Sequence, residues 1–221
     1  VEDASLLLAA LEGSRPADLT GADLANARLL VLENGLSDCR DTPARAFETA
    51  LSRLSAAGAT HDRDHILELD EAQSMSGILY TTEAWGTWGD RIAANPGAMF
   101  ARIRARFVAG GQVSGADYVA ALSRLETIRD IVRARVAGDD ALILPTTPNT
   151  APKAQRLLDE DDYSVTENLM TLRNTRFGNL LDGASLSLPT GTPGAGLMFI
   201  GKPMGEERLL RLAAAAERAL A

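Results

Sequence analysis

The chain has few of the side chains that most often do chemistry. Its 221 residues include one cysteine, Cys39, two histidines, His61 and His65, and two lysines, Lys153 and Lys202. A lone thiol excludes an intrachain disulfide and a thiolate-rich metal site and fits a reducing compartment, so the cytoplasm is the expected location. No apolar run approaches the roughly 20 residues that cross a bilayer, and no charged stretch followed by an apolar one opens the chain. Neither a membrane nor an export route is expected. Acidic side chains outnumber basic ones by 30 to 22, for a net charge of -8. That balance disfavours direct binding of nucleic acid.

With 46% hydrophobic residues, the chain can bury one sizeable core, and residues 1–221 read as a single domain. Val1 is not a start methionine, and a helix begins at once with Glu2 and Asp3 suited to its N-terminal end, so the chain reads as cut rather than started. Leu6, Leu7, Ala10 and Leu11 form the apolar stripe of that helix. Arg28–Leu32 reads as a buried strand. The next helix spans Pro43 to Ala57 with Phe47, Leu51 and Leu54 inward, capped by Asp41 or Thr42 and ended by Gly58. His61-Asp62-Arg63-Asp64-His65 holds two imidazoles four apart, which could share a metal only on a helix. Gly58 argues against a helix there, so a solvated connector is expected before an alternating strand at His65–Leu69.

Asp70 to Gly89 is expected as a helix with Met75, Ile78, Leu79 and Trp85 inward. Trp85 and Trp88 could wall a binding site but read better as core. Asn95-Pro96-Gly97 breaks the chain before an arginine-bearing helix over Ala98–Val108. Ser114 can cap a long helix running to about Val136 with Tyr118, Leu122, Leu125, Ile128, Val132 and Val136 on one face. Ala141–Leu144 then forms a buried strand, and the turn after it, with Thr146 and Thr147, lies where open α/β sheets bind ligands. After an acidic connection over Pro152–Asp162, Ser164 or Thr166 caps a helix carrying Arg173, Asn174, Thr175 and Asn179. Thr175 and Asn179, four apart, share a face and would need partners if buried.

Ala184–Leu188 alternates apolar residues with serines, and Leu197–Ile200 reads as a second, more buried strand, so the two form a hairpin around the glycine-rich turn. Gly191 and Gly196 have the spacing of a phosphate-cradling loop, but Leu197 and Met198 stand where its Lys and Ser or Thr belong. Glu206–Ala221 closes the chain as a helix packing Leu209, Leu212 and Leu220 on the sheet.

Thr175, Asn179, Gly183, the strand ending at Pro189, Gly191, and Gly196-Leu197 through Gly201-Lys202-Pro203 resemble the C-terminal signature of the amidase signature family. Asp140 through Thr146 and Ser114-Gly115-Ala116-Asp117-Tyr118 extend the resemblance along the chain. It implies an α/β fold, a mixed β-sheet flanked by helices on both faces, here incomplete because the N-terminal half of the domain would be absent. It also implies a hydrolase that cleaves carboxylic amides through a Ser-Ser-Lys acyl-enzyme mechanism, with no cofactor. Arg106 occupies the position from which amidotransferase A subunits of this family hold a substrate carboxylate, a task suited to a planar fork of donors. The candidate substrate-binding residues are Arg106, Thr146, Thr147, Arg173, Thr175 and Asn179.

The family's nucleophile and base have no counterpart here. No Ser-Ser pair and no Gly-Gly-Ser loop occurs, and neither lysine is placed like the family's base. This chain is therefore expected to supply sheet and pocket walls, with a small-molecule amide and the missing half of the domain as partners, and to be inactive alone. A homodimer is left open. Two other readings fit the sequence: a noncatalytic amidase-like binding module and a nucleotide-binding α/β domain using the glycine-rich hairpin.

Overall fold

The computed structural model describes residues 1–221, which group into two compact units, residues 1–66 with 135–221 and residues 67–134. In chain order the elements are α1 (Glu2–Glu12), β1 (Arg28–Leu32), α2 (Asp41–Ala56), β2 (Thr60–Asp64), α3 (Leu67–Ala94), α4 (Ala101–Gly110), α5 (Gly115–Arg135), β3 (Ala141–Pro145), α6 (Ala154–Asp159), α7 (Asp161–Arg173), α8 (Thr175–Leu180), β4 (Ser185–Pro189), β5 (Gly196–Ile200) and α9 (Glu206–Leu220).

The fold is α/β, with one mixed sheet flanked by helices. Strand order is β2-β1-β3-β5-β4; β1 runs parallel to β2 and β3, and β5 runs antiparallel to both β3 and β4. Every residue of β3 is buried, as suits a central strand covered on both faces. Leu29, Val31, Ile143 and Phe199 share one core cluster with Phe47 and Leu54 of α2 and Leu209 and Ala213 of α9. A run of small side chains, Ala213–Ala216, is buried on α9. Truncating Phe199, fully buried at the centre of this cluster, would cost about 3–5 kcal/mol.

Several local expectations are corrected. His61–Asp64 lie in the edge strand β2, paired in register from Arg28↔Thr60 to Leu32↔Asp64, and the strand expected at 65–69 is instead a two-residue link, His65 and Ile66, and the start of α3. The partner strand β1 supplies what the polar sequence of β2 lacks, since strand formation depends on context more than on propensity. Charge also suits an edge that must not pair further. Arg63 reaches Glu33 at 2.5 Å and Glu48 at 2.9 Å. On α1 the leucines point outward, with Leu11 78% exposed, while Ser5 and Ala9 are buried. Ser5 Oγ accepts a hydrogen bond from the Ala17 amide at 2.8 Å, which turns the small-residue side of the helix inward. No side-chain cap starts α2, because Asp41 is already its first residue. The acidic connection contains α6, and α7 begins at Asp161, before Ser164 and Thr166.

In the second unit α4 packs along α3. Gly110 makes this approach close: a Cβ there would sit 1.9 Å from the Thr81 carbonyl oxygen. Gly111 lies against the Trp85 ring, which is half-buried, whereas Trp88 is 46% exposed. The core reading thus holds better for Trp85 than for Trp88. Ser114 caps α5 as expected, accepting from the Asp117 amide at 3.0 Å and donating to the Asp117 carboxylate at 2.7 Å. Leu125, Ile128 and Val132 are buried on α5, together with Ala121 in place of the expected Leu122. Arg124 forks onto Glu71 of α3 at 2.7 and 2.6 Å.

Gly110→Ala must push α4 off α3, because the obstacle is backbone rather than a side chain that can turn away. The expected cost is about 1–3 kcal/mol in urea unfolding; an unchanged midpoint would refute the close approach.

Candidate functional site

The candidate site lies in the first unit, beyond the carboxyl ends of β1 and β3, where buried polar side chains join the turns after both strands to α7. Asn174 sits at the break between α7 and α8 with no exposed surface. Its Nδ2 donates to the Gly35 carbonyl at 2.9 Å and to the Pro145 carbonyl at 2.7 Å. One side chain thereby joins the turn after β1 to the last residue of β3. Gly35 fits because a Cβ there would collide with Leu144 at 2.5 Å.

A second buried group stands one and a half to two turns earlier on α7. The Glu167 side chain is 2% exposed, pairs with Arg40, and accepts from Asn149 Nδ2 at 2.9 Å. Asn149 also donates to Thr171 Oγ1 at 3.0 Å, and Thr171 donates to the Glu167 carbonyl at 2.8 Å. Arg40 completes the ring through its own amide, which donates to the Pro148 carbonyl at 2.8 Å. Burial raises the Glu167 pKa, but hydrogen bonds from Arg40 and Asn149 and the Arg40 charge outweigh it, so the carboxyl titrates below the usual glutamate range.

The named candidates fall into three places. Thr146, Thr147 and Arg173 are together at this end of the sheet. Thr146 Oγ1 and Ser187 Oγ are 2.5 Å apart above Gly196, whose missing side chain leaves room for both hydroxyls. Thr147 Oγ1 donates to the Asn149 carbonyl at 2.8 Å. Arg173 donates from Nε to Asn174 Oδ1 at 3.2 Å and from its terminal nitrogen to the Gly35 carbonyl at 3.4 Å, and stands 3.8 Å from the Asp38 carboxylate. Burial pushes its pKa below an arginine's ordinary value, while Asp38 opposes the shift. Cys39 is adjacent, with burial raising its thiol pKa against the lowering influence of Arg173, so it stands as a neutral thiol.

Thr175 and Asn179 are both exposed in this chain. Thr175 donates to the Leu172 carbonyl at 3.1 Å near the site. Asn179 lies on the last turn of α8, in an open depression with Asp182, Gly183, Pro203 and Met204 at the opposite end of β5. Arg106 belongs to α4 in the second unit and is half-buried. Sequence reasoning missed Asn174, Asn149, Glu167 and Arg40. The sequence carries no signal for them, since it reads as one helix through Arg173, Asn174, Thr175 and Asn179.

Chemically, the first-unit cluster offers hydroxyls and a forked cation but no base beside a nucleophile. Lys202 Nζ donates to the Ala137 carbonyl at 3.3 Å, at the amino end of β3, and Lys153 is exposed before α6. Ser55 and His61 meet at 3.2 Å on the exposed edge of the sheet, away from this cluster.

Comparison with known proteins agrees with this architecture. The Amidase family profile matches residues 1–210. A fatty acid amide hydrolase from Oryza sativa subsp. indica is 29% identical over 98% of this chain and 40% of its own length. A crystal structure of an amidase superposes with a TM-score of 0.80 at 23% identity, covering 99% of this chain and 51% of that one. Kluyveromyces lactis allophanate hydrolase superposes with a TM-score of 0.76 at 20% identity, over 90% of this chain and 34% of its own. This chain therefore belongs to the amidases, which are amide hydrolases, and it spans about two-fifths of the curated relative's length.

The buried pair gives a stability prediction. Glu167 is held below its ordinary pKa, so its contribution is complete above about pH 4.3 and fades as the pH falls through the lower folded value. Glu167→Gln is expected to make the loss of unfolding free energy between about pH 5 and 3 shallower. Arg40→Ala, which strands the buried carboxylate, should cost about 1–3 kcal/mol at neutral pH, discounted because Arg40 is 44% exposed. An unaltered acid limb in the first variant would show that Glu167 is not ionised in the fold.

Proposed function

We propose that this chain is the wall-forming portion of one amidase domain, and that a Ser-Ser-Lys acyl-enzyme apparatus, made of residues outside these 221, cleaves a carboxylic amide against it. Family membership supports the reaction class. The observation that carries the assignment of role is the cluster of Thr146, Thr147 and Arg173 beyond the carboxyl ends of β1 and β3, fixed by Asn174 and lacking any amine beside its hydroxyls. A Ser or Thr hydroxyl attacks poorly without a group that takes its proton, so such a cluster binds rather than cleaves.

In this reading Arg173 presents a forked donor to a carbonyl or carboxylate of the substrate, and Thr146, Thr147 and Thr175 line the approach. Arg106 is proposed as a separate substrate-carboxylate contact and Asn179 as a contact to backbone from the remainder of the domain. The rice relative's name points to amides with an apolar acyl chain as the substrates to try first.

The 221-residue chain assayed alone should hydrolyse no acyl amide above background and should resist labelling by a fluorophosphonate. In the active longer polypeptide, Lys153→Ala and Lys202→Ala should leave kcat/KM within about two-fold, while Arg173→Ala should lower it by about ten-fold or more, the loss of one charged hydrogen bond. Turnover by the chain alone, or abolition of activity in Lys202→Ala, would sink the proposal.

A further inference from the structure

Each of the two arginines in the first-unit cluster stands beside an acid, and the two acids are held differently. Glu167 is 2% exposed and accepts from both Arg40 and Asn149, so its oxygens are taken up within the fold. Asp38 is 87% exposed, and its carboxylate stands 3.8 Å from Arg173 Nη1, beyond hydrogen-bonding distance. An exposed pair at that separation adds little to stability. What Asp38 gives to the surroundings of Arg173 is its charge.

Backbone anchors, rather than the ion pair, set where this carboxylate stands. The Gly35 carbonyl is held by Asn174, the Cys39 amide donates to the Leu36 carbonyl at 3.0 Å, and the Arg40 amide donates to the Pro148 carbonyl at 2.8 Å. Asn174 also accepts from Arg173 Nε through its Oδ1, so one side chain orients the arginine and the turn that carries the acid. Within that turn Asp38 has a left-handed backbone, φ 53°. Gly, Asn and Asp adopt this conformation at least cost. Neutral Asn or Gly would serve the turn equally well, so the fold does not require a charge at position 38.

We propose that Asp38 is a specificity-determining residue, which repels a carboxylate from Arg173 so that the substrate group received there is an uncharged carbonyl. The inference rests on the reading of Arg173 as a substrate contact and decides between the two groups a forked donor can take. An incoming carboxylate gains the attraction of Arg173 but meets a fixed charge of its own sign beside it. A carbonyl oxygen accepts the same hydrogen bonds without that opposition. Arg40 and Glu167 do not alter the balance, because each neutralises the other in direct contact. Amides of uncharged acyl groups are therefore accepted, and a dicarboxylic acid monoamide is disfavoured wherever its length brings the carboxylate to Arg173.

In the active longer polypeptide, kcat/KM is measured for a graded series of unbranched dicarboxylic acid monoamides and for the monocarboxylic amides of the same lengths. The unaltered enzyme should favour the uncharged member of each pair. In Asp38→Asn and in Asp38→Gly, both suited to the left-handed turn, the ratio of charged to uncharged kcat/KM should rise about five-fold or more at the matching length, the effect of one like charge about 4 Å away across water. High salt should shrink the rise. Between Arg173→Gln and Arg173→Gln/Asp38→Asn the ratio should change by less than about two-fold, which a merely structural effect of residue 38 would not produce. If Arg173→Ala lowers kcat/KM for the uncharged amides while both Asp38 variants keep the original ratio at every length, the inference fails and the reading of Arg173 stands. If Arg173→Ala spares those amides, both fail. A rise that persists in full without Arg173 would also overturn the inference.

Discussion

The buried amide of Asn174 is the constraint on which the rest of the first unit's upper end depends. Parallel strands β1 and β3 run side by side, and the carbonyls of Gly35, in the turn after β1, and of Pro145, the last residue of β3, must find donors once covered. Asn174 gives one side chain to both the Gly35 and Pro145 carbonyls. Because the same residue stands where α7 gives way to α8, satisfying the strand ends also fixes where the helix breaks and where Arg173 projects. Glu167, Asn149, Thr171 and Arg40 repeat this logic one layer further along α7, so that two turns and a helix share one polar network. A low-dielectric network of this kind is rigid when every member is paired and costly when one is removed.

Much of the architecture could be read from the sequence. Leu29 to Leu32, Ala141 to Leu144 and the serine-interrupted Ala184 to Leu188 are short, apolar or alternating, and each is a strand. Phe47, Leu51 and Leu54 keep their helical period and face the core. The polar strand β2 could not be read this way, because its place is set by pairing with β1 rather than by its own residues. The leucines of α1 misled for a related reason: a periodic stripe says that one side differs from the other, not which side this chain buries.

The candidate site was legible in position and not in substance. The rule that ligands lie beyond the carboxyl ends of strands located Thr146 and Thr147 correctly relative to the sheet. It could not find the supporting residues, because α7 inverts the usual arrangement. Glu167 and Thr171 point inward and are satisfied there, whereas Val165, Leu169 and Leu172 face outward, so an amphipathic reading turns the helix the wrong way round.

If Asn174 holds the strand ends and α7 together, removing its amide must loosen those parts while leaving the sheet intact. Amide hydrogen exchange of Asn174→Ala against the unaltered protein measures this directly. The account predicts faster exchange over residues 33–40, 145–149 and 161–173, with β5 and α9 unchanged. Uniform acceleration across the first unit, or no change in the three named segments, would contradict it.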